Sequence, residues 1–162
     1  MIIVGVDPGS RRTGYGAIAI EHGRCRLIEK GVVAPSTELP FERKLQQIHG
    51  SLTHLLARLR PDALAVEDVF HSANTRTALI LSHVRGVVLL AGAEAGLAVS
   101  AYAPATVKQE VTGSGRADKH QVAFMVARHL ELAHDGEPGD AADALAVALC
   151  HANKSRPRGG SR

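Results

Sequence analysis

Apolar residues follow two patterns in the N-terminal part of the chain. The run IIVGVD (2–7) is continuous and β-branched, which is typical of a strand buried on both faces. The turn DPGSRRTG follows, and YGAIAIE and RCRLIEKGVVA then predict two more strands in an antiparallel meander. From Pro40 to Arg60, leucine and isoleucine recur every three or four residues, which predicts an amphipathic helix.

The rest of the chain alternates between strand and helix patterns. The segment ALAVEDVF (63–70) predicts a second buried strand, and Asn74 to about Gly96 predicts a long helix. LAVSAYAPATVK (97–108) predicts a further strand, with a loop after Pro104. Two more helices are predicted, at Lys119–Leu132 and from Asp140 to about Asn153. Three strands followed by alternating helices and strands indicate an α/β fold, in which helices cover a mixed five-stranded sheet.

The predicted helix from Asn74 to Gly96 is apolar around its whole circumference. The positions concerned are Ala78, Leu79, Ile80, Leu81, Val84, Val87, Val88, Leu89 and Leu90. They cannot all face one core from a single stripe, so the helix is either sandwiched inside the monomer or buried against a second subunit. In a domain this small the second arrangement is favoured, and the pattern therefore predicts a homodimer.

Length and charge predict one domain at 1–153 and a basic, disordered tail at 154–162. The 162 residues suffice for a full core, and none of the apolar runs reaches the ~18 residues that a membrane helix needs. The chain has no recognisable signal peptide, so we expect a cytoplasmic protein with no membrane partner. The net charge of +3 comes from the tail KSRPRGGSR, because residues 1–153 hold 15 bases against 16 acids. The tail is interpreted as a solubilising end, and the alternative is an arm that contacts phosphates.

Four carboxylates stand against apolar sequence, where a charge is costly. Asp7 ends IIVGVD, Glu67 ends ALAVE, and Asp140 and Asp143 open DAADALAVAL. Buried charges persist when they are paired or bound to metal, and carboxylate oxygens are the ligands that Mg²⁺ and Mn²⁺ prefer. Adjacent parallel strands would bring Asp7 and Glu67 to one sheet edge, and the other two share a helix face. If all four converge, they form a cage for two divalent ions, as in phosphodiester cleavage.

Each of these residues also has an ordinary structural explanation. Asp140 can be a helix N-cap, with Asp143 stabilised by the helix dipole, and Asp7 before Pro-Gly can be a turn former. Glu67 is harder to explain in this way, and its neighbour Asp68 must point to the opposite face of the strand.

Two lysines and one phenylalanine are candidates for nucleic-acid contacts. Lys108 follows a strand-like segment and Lys119 follows the glycine-rich TGSGRAD, so either can hold a phosphate or be a solvated surface lysine. Phe70 lies between a strand and a helix, where it can pack on the core or stack on an unpaired base.

The chain resembles the RuvC family, the bacterial Holliday-junction resolvases of the RNase H-like superfamily, from about Ile2 to His151. The matching blocks are GVDPGSRRTGYG (5–16), AVEDVF (65–70), NTRTAL…HVRG (74–86), YAPATVKQEVTGSGRADKHQV (102–122) and DAADALAVALCH (140–151). The resemblance implies an RNase H-like fold and a structure-specific endonuclease. Such an enzyme resolves four-way DNA junctions by symmetric paired nicks, in recombination and repair.

The resemblance also implies residue roles and partners. Asp7, Glu67, Asp140 and Asp143 would be the catalytic ligands of two Mg²⁺ or Mn²⁺ ions per subunit. Phe70 would stack at the junction centre, while Lys108 and Lys119 would contact DNA. The family acts as a homodimer and works with a branch-migration complex of a junction-binding tetramer and a helicase motor.

Three other functions stay open. A DxG turn after a first strand also occurs in actin-like sugar kinases, but these need two such domains and further phosphate loops. A non-catalytic junction-binding protein would use the same acids structurally, without needing metal. An RNase H-like nuclease on other branched nucleic acids is the third alternative.

Overall fold

The computed structural model describes residues 1–68, 74–133 and 136–155. In chain order the strands and helices are β1 Ile2–Asp7, β2 Thr13–Glu21, β3 Arg24–Val33, α1 Phe41–Leu59, β4 Ala63–Glu67, α2 Thr75–Glu94, β5 Ala98–Tyr102, α3 Pro104–Thr112, α4 Lys119–His129 and α5 Asp140–Ser155.

The five strands form one mixed sheet with the order β3-β2-β1-β4-β5. The first three strands are antiparallel, whereas β1 pairs with β4 in parallel and β4 with β5 in parallel. Val6 is paired with Val66, so Asp7 and Glu67 end neighbouring strands at the same edge. The mixed five-stranded sheet and the expected meeting of these two residues are both confirmed.

The continuous apolar run of β1 is explained by core packing on both faces of the sheet. Ile3 belongs to a cluster formed with α3, α4 and α5. Val4 and Val6 belong to a second cluster, formed with α1 and α2. All three side chains are fully buried, so β1 is the central strand between two helical layers.

The segment after Pro104 was predicted to be a loop, and that prediction is wrong. Residues Pro104–Thr112 form α3, with proline at the first helical position, where its missing N–H and fixed φ suit a helix start. Val107 and Val111 are buried and attach this helix to the core. Lys108 is therefore held on a helix.

Helix α5 packs against the sheet at backbone contact distance. A Cβ atom at Gly5 of β1 would lie 2.2 Å from the Ala144 carbonyl oxygen, and one at Gly14 of β2 would lie 2.0 Å from the Asp140 carbonyl oxygen. The small residues of α5, among them Ala144 and Ala148, permit this approach. This close packing holds the first turn of α5, which carries Asp140 and Asp143, near the ends of the strands.

Helix α2 buries one side and exposes apolar residues on the other. Its buried positions are Val84, Val88, Ala91 and Gly92. Leu79 and Leu90 are 57% and 51% exposed. By length and composition alone this helix is apolar enough to cross a membrane, but a single helix of this kind is weak evidence because core helices pass the same test.

Candidate active site

Asp7 and Glu67 are two partly buried carboxyl groups at the edge where β1 and β4 end. Burial raises the pKa of Asp7 to about 8, and the charges of Glu67, Asp143 and Asp140 act in the same direction. The Asp7 carboxylic acid donates a hydrogen bond to Glu67, which raises the pKa of Asp7 further and opposes the rise at Glu67. At neutral pH without a cation, the Asp7–Glu67 pair therefore retains a proton.

The pKa of Glu67 is also raised, first by burial and then by the charge of Asp143. Lys108 and Lys119 oppose this rise, so both lysines act on the carboxylate through space. Lys108 reaches the site from α3, and Lys119 from the first residue of α4. The structure thus brings together the two lysines that sequence reasoning singled out.

Asp143 faces the strand ends from the first turn of α5. Burial raises its pKa, Lys119 lowers it, and the neighbouring charge of Asp140 raises it. Lys119 Nζ lies 3.8 Å from Asp143 Oδ2, and the lysine side chain is otherwise largely exposed. This contact is too long for a hydrogen bond and leaves the lysine free to meet a second anion.

Asp140 forms an ion pair with Arg12, a residue that no sequence pattern singles out. Arg12 Nε donates to Asp140 Oδ2 at 2.6 Å. The N-cap explanation for Asp140 does not hold, because the N–H of Asp143 bonds to the carbonyl of Gly139, which makes Gly139 the residue before the helix. Arg12 could not have been found by local pattern, since it lies 128 positions from its partner.

A cavity of about 340 Å³ lies between the strand ends and helices α3, α4 and α5. Its polar wall consists of Asp7, Glu67, Asp143, Lys108 and Lys119. Its apolar wall consists of Pro104, Val107, Val122 and Ala146. Three of the four predicted carboxylates and both predicted lysines therefore meet in one cavity, and Asp140 lies outside its lining.

The donor set suits a hard divalent cation, because it consists of carboxylate oxygens that are partly buried and mutually repelling. Within residues 1–68, 74–133 and 136–155, however, no group of three or more acidic, histidine or cysteine side chains is arranged to hold a metal ion as it stands. The convergence predicted from sequence is thus confirmed for the place of three carboxylates, while a closed cage is not formed.

The remaining candidates have other surroundings. Asp68 lies 3.0 Å from Arg85 Nε on α2, which agrees with the prediction that only Glu67 of this pair faces the site. His151 Nδ1 makes a 2.8 Å hydrogen bond with the Tyr102 hydroxyl, and its burial lowers its pKa. Phe70 lies outside the described residues.

Comparisons with known proteins agree with one another. The family model described as "Crossover junction endodeoxyribonuclease RuvC" matches residues 3–151. A protein of that name from Myxococcus xanthus is 50% identical over 157 residues, covering 96% of this chain and 82% of its own. One from Desulforamulus reducens is 44% identical over 160 residues, covering 99% and 98%.

Solved structures lead to the same family. The structure "T. thermophilus RuvC in complex with Holliday junction substrate" superposes with a TM-score of 0.90 at 39% identity, covering 96% of this chain and 95% of that one. The sheet, the helical layers and the matched length therefore agree with the sequence resemblance. The chain belongs to the RuvC family of crossover junction endodeoxyribonucleases.

Proposed function

We propose that this protein is a crossover junction endodeoxyribonuclease that resolves four-way DNA junctions by metal-dependent hydrolysis. The observation that carries the proposal is the single cavity where Asp7, Glu67 and Asp143 meet Lys108 and Lys119. Carboxylates alone would repel a phosphodiester, and lysines alone would only bind it. Their combination provides both a place for cations and a place for the phosphate.

Asp7, Glu67, Asp140 and Asp143 are the residues that would hold Mg²⁺ or Mn²⁺, with two ions per subunit as the family resemblance implies. Divalent ions bound there would lower the pKa of the attacking water and stabilise the departing 3′ oxygen. The raised pKa values of Asp7, Glu67 and Asp143, caused first by burial and then by the charges of neighbouring carboxylates, support this assignment, since a bound cation would offset both causes.

The chain's own side chains would bind the substrate phosphate and release a proton when a cation binds. Lys119 and Lys108 lie on two different helices, so they can hold a phosphate from two directions above the carboxylates. The proton on Asp7 must leave when a cation binds, because a metal ligand has to be deprotonated. Phe70 would stack on a base at the junction centre, a role that rests on the family resemblance.

The active form would be a homodimer joined through the outer face of α2. Leu79, His83, Gly86, Leu90 and Ala93 are exposed and follow one another at four- and three-residue spacing, which is the pattern of a helix-packing seam. Two sites related by a two-fold axis would nick opposed strands of a junction, and this is the geometry that resolution into two duplexes requires.

Three further parts of the proposal rest on the resemblance and on composition. The protein would act in the cytoplasm with a branch-migration complex of a junction-binding tetramer and a helicase motor. The nuclease domain would span residues 1–153. The basic tail at 154–162 would be separable from it, although α5 continues to Ser155.

The proposed function is tested by incubating the full chain with a labelled synthetic four-way junction and with a linear duplex of the same sequence. Each is supplied with Mg²⁺, Mn²⁺ or EDTA. Paired nicks on the junction alone, in metal only, are expected. Tight junction binding without nicks in any metal would favour a non-catalytic binder. Equal cutting of the linear duplex would indicate a general nuclease.

A further inference from the structure

Arg12 holds the one predicted metal ligand that stays outside the cavity lining. Its Nε lies 2.6 Å from Asp140 Oδ2, whereas the Lys119 Nζ to Asp143 Oδ2 distance is 3.8 Å. The arginine side chain is 61% exposed and the Asp140 side chain 34%, so the pair sits at the border of the site, in contact with solvent. An arginine in this place is a cation already bound to a carboxylate of the site.

The loop that carries Arg12 is held in place by contacts that do not involve the Arg12 side chain. Thr13 is fully buried, and its hydroxyl donates to the Gly9 carbonyl at 2.7 Å while accepting the Gly9 N–H at 3.3 Å. A Cβ atom at Gly9 would lie 2.1 Å from the Arg12 carbonyl oxygen, so the backbones of Gly9 and Arg12 are packed closely together.

Asp140 is held equally closely. Its carbonyl oxygen lies so near β2 that a Cβ atom at Gly14 would be 2.0 Å away. The backbones of both partners are thus fixed by packing that does not depend on their ion pair. Only the two side chains need to be ordered for the ion pair to form.

We propose that Arg12 competes with a divalent cation for the Asp140 carboxylate and so lowers the metal affinity of the site. The inference rests on the proposed function, in which Asp140 is a metal ligand. A carboxylate oxygen that accepts a 2.6 Å hydrogen bond from a guanidinium has to give up that bond, or share it, before it can ligate a metal. The guanidinium charge also repels an incoming cation.

The expected effect is small because the pair is exposed. An ion pair in contact with solvent contributes little, so removing it should tighten cation binding by about two- to fivefold. The effect should require Asp140, because Arg12 acts through that side chain. A double-mutant cycle separates such a coupling from the general loss of one positive charge.

The test is calorimetric titration of the DNA-free full chain with Mn²⁺, which reports binding without relying on cleavage. Arg12→Ala should bind Mn²⁺ about two- to fivefold more tightly than the wild type. Arg11→Ala, at the exposed neighbouring position on the same loop, is the matched control and should leave the affinity unchanged. In an Asp140→Asn background, Arg12→Ala should have no further effect.

Unchanged or weaker Mn²⁺ binding by Arg12→Ala would overturn the proposal. Weaker binding would mean that Arg12 orients Asp140 toward the metal. The same gain in the Asp140→Asn background would also overturn it, because the effect would then be one of charge alone. If the wild type bound no Mn²⁺, or Asp7→Asn bound it as the wild type does, the proposed metal site itself would fail. Thermal unfolding of every variant in EDTA checks that each is folded.

Discussion

Replacing Gly5 by alanine should separate the two halves of the active site. Gly5 lies in the middle of β1, two residues before Asp7, and a Cβ atom there would be 2.2 Å from the Ala144 carbonyl oxygen and 2.6 Å from the Ala148 nitrogen. Both clashing atoms belong to the backbone of α5, which no side-chain rotation can move. The helix that carries Asp140 and Asp143 must therefore retreat from the strands that carry Asp7 and Glu67.

The size of the effect follows from these distances. Reaching an ordinary contact of 3.4 Å from 2.2 Å requires a shift of roughly 1.2 Å. Overpacking of a core typically costs about 1–3 kcal/mol, and the rigid backbone on the receiving side favours the upper end. A cost of about 3 kcal/mol lowers the melting temperature of a domain of this size by roughly 6–12 °C. A misplacement of about 1 Å in an active site costs about 100-fold in rate.

The assay compares Gly5→Ala with Gly50→Ala, which is the matched control. Gly50 is exposed within α1, and a Cβ atom there meets nothing within 4 Å, so alanine should stabilise the helix by about 0.5–1 kcal/mol. Melting is followed by circular dichroism in EDTA, and junction cleavage is measured in saturating Mg²⁺ at a temperature where both variants are folded. A Gly5→Ala protein that melts within 2 °C of the wild type, or cuts within twofold of it, would refute the reasoning.

Three other predictions concern charge, DNA contact and assembly. Because the pKa of Asp7 is raised to about 8, the folded protein binds more protons than the unfolded chain above pH ~4, so metal-free stability should fall from pH ~4 to 8. Melting curves at pH 5 and 8 in EDTA check this, and a higher melting temperature at pH 8 would contradict it. Lys119→Ala should weaken junction binding, and the slope of log affinity against log salt concentration should fall by about one phosphate contact, as measured by fluorescence anisotropy. Lys30→Ala, at an exposed position on β3, should change neither the affinity nor the slope. Leu90→Asp should sediment as a monomer, whereas Ile28→Asp, at a position 40% exposed on β3, should sediment as a dimer. The same oligomeric state for both variants would argue against the α2 interface.

The sequence predicted the part of the site that depends on strand ends. A buried run that finishes in a carboxylate can be recognised locally, and the parallel pairing of β1 with β4 then brings Asp7 and Glu67 together. Asp143 was predicted to share a helix face with Asp140, and the alanines of α5 allow that helix to touch the sheet. These are rules of periodicity and residue size, and they need no knowledge of distant contacts.

Two features could not be predicted in this way. The pattern YAPATVK resembles the end of a strand followed by a loop, and only the tertiary burial of Val107 and Val111 makes it a helix. The pair of Arg12 and Asp140 joins the first loop to the last helix, and one arginine in a polar turn looks like any other. As a result the sequence predicted four equivalent carboxylates, whereas the structure distinguishes three in the cavity from one held by an arginine.

The most direct test of the metal-dependent mechanism is a comparison of Asp7→Asn with the wild type on the same four-way junction. Binding is measured in EDTA, and nicking in Mg²⁺. The account predicts that Asp7→Asn loses cleavage and still binds the junction at least as tightly, because the change removes a metal ligand and leaves a neutral amide that does not repel phosphate. An Asp7→Asn protein that cuts the junction at the wild-type rate would contradict the assignment of this cavity as the catalytic centre.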